Sequence, residues 1–98
     1  MEGYKFKTTF WQDFTIADAF GVDAIQDTYD RAFADWRNNT EYLTELVLVL
    51  NWKIWQHYEI DDHEEIAKLY NYLWEKLDKY CTNNLKGEDL KYFLEVTD

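Results

Sequence analysis

The stretch TEYLTELVLVLNWKIWQHY (40–58) decides how the rest of the chain is read. Leu43, Leu46, Val47, Leu50, Ile54 and Tyr58 recur at spacings of three and four, which is the period of a helix burying one face. Thr40 stands where an N-cap is wanted, so the spacing predicts a helix over 41–58. Its other side is apolar as well: Leu46 to Leu50 contains no polar residue, and Leu48, Val49, Trp52 and Trp55 turn away from the main stripe. The apolar portion, Leu43 to Trp55, carries Glu45, Asn51 and Lys53 and is shorter than the ~20 residues needed to cross a bilayer. A water-facing flank would leave these side chains bare, so such a helix has to be covered on both sides. The cover must come from the rest of the chain or from a partner.

Working outward, Ile25, Tyr29, Ala32, Phe33 and Trp36 form a second amphipathic stripe and predict a helix over 23–37, stopped by Asn38 and Asn39. On the other side, Asp62 with Glu65 resembles a capping box, and Ile66, Leu69, Tyr70, Leu73, Leu77 and Tyr80 predict a helix over 62–81 that ends at Asn83 and Asn84. Thr15 can cap a short helix through Asp18 and Ala19 that stops at Gly21. Before it, Tyr4, Phe6, Thr8 and Phe10 alternate with Lys5, Lys7 and Thr9, the period of a half-buried strand or extended arm. Tyr92 to Val96 is the only other β-leaning segment, and Glu88 to Leu94 reads equally well as a last helical turn or two. With no proline and glycine only at 3, 21 and 87, nothing reads as a linker. The expected fold is mainly α: a single helical domain over 1–98, built as a small antiparallel three-helix bundle with short extra helices and an extended N-terminal arm.

Composition narrows the function. Five Trp, eight Tyr and six Phe in 98 residues give ample apolar surface for a core. Twenty acidic residues against ten basic give a net charge of −10. The excess is shared evenly, with four basic against nine acidic residues in 1–50 and six against eleven in 51–98. That charge repels phosphate, which argues against direct nucleic-acid binding and against docking on an anionic membrane. Cys81 is the single cysteine and cannot form an intramolecular disulfide; no early apolar run precedes a small-residue cleavage site, so a cytoplasmic location is expected.

Candidate chemistry is sparse. His57 and His63 flank Glu59, Asp61, Asp62, Glu64 and Glu65, but neither zinc-ligand spacing nor the calcium-loop pattern is present. An acidic helix start that suits the positive end of the helix dipole accounts for the cluster, so no metal ligand is expected there. Cys81 lies on an apolar stripe and reads as a core thiol; no carboxylate pair stands apart for acid–base work, and three scattered glycines cannot make a phosphate loop. No catalytic residue and no cofactor are therefore expected. Two features suit binding instead. Trp52, Trp55 and Leu48 are the apolar candidates, for a protein partner or for a second copy of this chain in a homodimer. Asp23, Asp27 and Asp30 fall on one polar helix face at steps of about 6 and 10 Å, near the spacing of nucleic-acid phosphates, and raise the alternative of a DNA mimic that inhibits a nucleic-acid-binding protein.

FWQDFTIADAFG (10–21), DTYDRAFADW (27–36), YLTELVLVLNWKIWQHY (42–58) and LYNYLWEKLDKY (69–80) resemble a group of short uncharacterised acidic proteins carried on conjugative elements and prophages of Gram-positive bacteria. The resemblance covers most of the chain and implies an accessory role in a mobile element. Cargo of that kind includes inhibitors of host defence, several of them acidic DNA mimics. No activity or site residue comes with it.

Overall fold

In the computed structural model, residues 5–97 are described, apart from the side chain of Asp61. They form five helices and no strand: α1 (Phe10–Asp18), α2 (Val22–Trp36), α3 (Thr40–Tyr58), α4 (Glu64–Asn84) and α5 (Glu88–Thr97), with a 3-10 turn over Asp61–His63. The chain is mainly α, as the stripes predict, and the three long helices fall within a few residues of their expected places.

α3 touches every other helix, which resolves its two-sided apolarity. Leu43, Leu46, Val47, Val49 and Leu50 are buried, each contributing roughly 1.5–3 kcal/mol through removal from water. α4 lies along α3 and supplies Tyr70, Leu73, Leu77 and Cys81 to the core, while Ile25 and Tyr29 come from α2. The remaining flanks are closed by the short helices: Phe10 and Phe14 of α1 on one side, Phe93 of α5 on the other.

Of the short helices, α1 departs from the sequence reading and α5 follows its helical alternative. α1 begins at Phe10, before Thr15, because Phe10, Phe14 and Ala17 follow the helical period and all three are buried. Thr15 caps nothing; its hydroxyl donates to the Trp11 carbonyl at 2.7 Å. α5 takes up Tyr92 to Val96, so no strand pairing forms there; residues 5–9 are irregular, and Tyr4 lies outside the described residues. The arm is fastened by a carboxylate: buried Glu45 accepts from the backbone N–H of Lys7 at 2.8 Å and of Thr8 at 2.9 Å, and from the Thr8 hydroxyl.

Of the two expected caps of the long helices, one moves by a residue and the other does not form. Asn39, not Thr40, caps α3, its Oδ1 accepting from the Tyr42 N–H at 3.1 Å. The expected capping box at Asp62 is replaced by the 3-10 turn, and α4 starts at Glu64 without a side-chain cap. Gly21 joins α1 to α2 at φ +105°, ψ −172°, a region open in practice only to glycine.

Candidate binding surface

The first site to consider is the shallow groove between α1 and α2, about 510 Å³ in volume. Once Phe10, Phe14 and Ala17 commit one face of α1 to the core, Ile16 and Phe20 are left outside, 61% and 77% exposed. They form one wall. Trp36, at the end of α2, forms another and is held by the Tyr42 ring at 4.4 Å between centroids. Small residues, Ala17, Ala24 and Ala32, are part of the groove's lining beside Phe10, which lets another chain approach closely there. Asp13, Asp27 and Asp35 line the rim against one cation, Arg31, whose guanidinium lies 3.3 Å from the Asp27 carboxylate in an exposed pair. A pair so solvated contributes little to stability and leaves the rim acidic.

Of the residues expected to make contacts, Asp27 lies in this groove, whereas Asp23 and Asp30 are exposed on α2 outside it, Asp30 accepting from Gln26 Nε2 at 3.0 Å. Trp52, Trp55 and Leu48 do not form one patch. Phe6 meets the Trp52 ring edge-on at 5.7 Å, so the arm covers this half-buried indole. Leu48 is half-buried in a cleft against α5, beside Phe93 and Leu94. Trp55 remains 64% exposed, next to Tyr58 with ring centroids 6.0 Å apart. A second apolar hollow, lined by Ile54, Tyr58, Ile60 and Ala67, opens at that end of α3.

Between α1, α3 and α4 lies a polar cluster that sequence reasoning missed. Lys53 is completely buried; its ammonium donates to Asp18 Oδ2 at 2.9 Å and to Thr15 Oγ1 at 2.8 Å and stands 4.2 Å from the centre of the Trp11 ring. His57 Nε2 meets the same Asp18 oxygen at 3.0 Å, and the Tyr70 hydroxyl donates to Asp18 Oδ1 at 2.5 Å. Burial, reinforced by this bond to the carboxylate, pushes the Tyr70 hydroxyl far above the usual phenol range. On its other edge His57 Nδ1 faces His63 Nδ1 at 2.7 Å. The grooves at α1–α2, α3–α5 and α3–α4 are lined by none of Lys53, His57 and Tyr70. Lys53, Asp18, His57 and Tyr70 direct their polar atoms at one another and at Thr15 and His63, and the cluster ties three helices together.

The two histidines and Asp18 do not gather a cation-binding set: among the described residues no three His, Cys, Asp or Glu converge as metal ligands. Cys81 is buried, as its stripe predicts, and burial with the nearby Asp78 charge pushes its thiol up to about 12. No described helix is long and apolar enough to cross a membrane. Comparison with protein-family models, with curated proteins and with solved structures finds no match.

Proposed function

We propose that this chain is a non-enzymatic interaction module that holds a basic, amphipathic helix of a protein partner in the groove between α1 and α2. The scaffold is read as an antiparallel bundle of α2, α3 and α4, with α1 and α5 laid against it. The groove itself carries the reading. Ile16, Phe20 and Trp36 offer apolar anchors, the alanines of the lining admit a close neighbour, and three carboxylates against one arginine select for Lys and Arg on the incoming helix. A gap between two helices is filled naturally by a third presenting an apolar stripe. A cytoplasmic setting and the accessory role in a mobile element, implied by the resemblance, belong to the same proposal.

Calorimetric titration with two synthetic amphipathic peptides, one of Leu and Lys and its counterpart of Leu and Glu, tests it. The Leu–Lys peptide binds, more weakly as salt rises; the Leu–Glu peptide does not; Phe20→Ser or the pair Asp27→Lys and Asp35→Lys abolishes binding. Equal binding of both peptides, or full binding by the Phe20→Ser protein, refutes the groove as the site.

Nucleic-acid mimicry has narrower support. Asp23, Asp27, Asp30 and Asp35 are all exposed on α2, which contains no lysine, whereas α4 interleaves Lys68, Lys76 and Lys79 with its acids. Under that second reading the partner is a basic nucleic-acid-binding protein, and duplex DNA displaces the chain from it.

A further inference from the structure

His57 Nδ1 and His63 Nδ1 face each other across the connection between α3 and α4. Two ring nitrogens 2.7 Å apart can share one proton and no more. Their other partners fix which nitrogen carries it. The Asp18 carboxylate only accepts, so His57 Nε2 is the donor across that 3.0 Å contact. A neutral His57 then presents a lone pair at Nδ1, and His63 must donate to it from its own Nδ1–H, which leaves a lone pair at His63 Nε2. The uncharged pair is thus a directed chain from His63 through His57 to Asp18, with Lys53 and Tyr70 holding the carboxylate.

We infer that His57 and His63 form a proton-counting latch between the end of α3 and the start of α4, closed with no added proton or with one, and forced open by the second. The first proton goes to His63 Nε2, the nitrogen not engaged in the pair. His63 then donates through Nδ1 as an imidazolium, so the bond becomes charge-assisted and persists. The second can go only to His57 Nδ1. Both facing nitrogens then carry hydrogen, and two cations with Lys53 share a single carboxylate, so the rings separate.

Among the described residues, few groups face the pair. From α1 there is Asp18; from α3, Lys53; from α4, the Tyr70 ring, stacked on His57 at 5.6 Å and 9°. In the connection itself Glu59, Asp62, Glu64 and Glu65 are exposed, and their charge is screened by salt. Opening would free a short piece of backbone, because the turn bonds of the connection, Ile60 N–H to the His57 carbonyl at 3.2 Å and His63 N–H to the Ile60 carbonyl at 3.0 Å, start or end on the two histidines.

Long-range proton–nitrogen correlation spectra of the imidazoles, recorded on the full chain from pH 8 to pH 4.5, test the latch, with amide exchange followed in parallel. At pH 8, His57 is the Nε2–H tautomer and His63 the less common Nδ1–H tautomer. On acidification the rings titrate in two resolved steps, His63 first, and exchange at the Ile60 and His63 amides accelerates by about an order of magnitude across the second step only. In the His63→Ala protein, His57 titrates in one step and no second-step acceleration occurs. An Nε2–H tautomer at His63, a single common step, or exchange that follows the first proton overturns the proposal. The tautomer reading needs only the unaltered chain, so the test stands even where the variant fails to fold.

Discussion

Lys53 stands on the same helical face as Leu46 and Leu50, yet its ammonium is satisfied by Thr15, Asp18 and the Trp11 ring, so its worth depends on those partners staying in place. Replacing it with methionine keeps the volume and strands a largely buried carboxylate; in urea unfolding, Lys53→Met costs about 3–5 kcal/mol. Adding Asp18→Asn recovers a substantial part of that loss, because the remaining groups are neutral and of similar shape. If the double variant loses as much as the two single ones combined, the two groups do not act as a pair. The chain shows how such a cluster hides in sequence. Leu43, Leu46, Leu50, Lys53 and His57 continue one helical stripe, but Ile54 and Tyr58 offer an apolar continuation one residue on, and hydrophobicity favours the wrong one. A polar residue at a core register position was the available signal. Cys81 needs no such care, and its burial sets an alkaline limit. Its folded thiol is raised from 9.0 to about 12, and the Tyr29 phenol from 10.0 to about 12, mainly by burial. A group raised on folding stabilises fully below its unfolded value and loses that contribution as pH rises to its folded one. Stability therefore falls between pH 9 and 12, and in Cys81→Ala the fall begins near pH 10 instead.

Among the elements, α2, α3 and α4 were legible because each is long enough for its apolar stripe to repeat several times. α1 and α5 were legible only in part, the start of one and the choice between helix and strand for the other being left open, since nine or ten residues give two turns of pattern and their stability comes from what they cover. Alternation at Tyr4, Phe6, Thr8 and Phe10 suggested a strand or an extended arm, but Phe10 belongs to a helical set with Phe14 and Ala17, and tertiary burial decided between the two periods. The consequence reaches the binding surface: reading α1 from Thr15 hides that Ile16 and Phe20 are outward-facing. Two single changes probe the joints. Asn39→Ala removes the α3 cap and lowers stability by about 1 kcal/mol in thermal unfolding, with little change if Thr40 takes over the role. Gly21→Ala meets no neighbouring atom, so its cost is backbone strain alone, about 1–3 kcal/mol, and it should leave the spectra of α3 and α4 undisturbed.

Across the described residues, a core shared by all five helices is wrapped in an acidic surface on which apolar side chains are most exposed at the α1–α2 groove and at the Trp55 end of α3. The net charge of −10 destabilises the compact chain by self-repulsion and at the same time attracts basic partners; added salt relieves the first and weakens the second. Stability and binding should therefore move in opposite directions with ionic strength, which separates the groove from a purely apolar contact. The acidity and the unusual apolar helix were plain in the sequence, whereas the position of the groove depended on where α1 begins. Amide chemical-shift mapping with the Leu–Lys peptide tests the central claim most directly. The account predicts perturbations concentrated at Ile16, Phe20, Ala24, Asp27 and Trp36, fading with salt. Perturbations centred instead on Trp55, Tyr58 and Ile60, or spread evenly over the acidic surface, would contradict it.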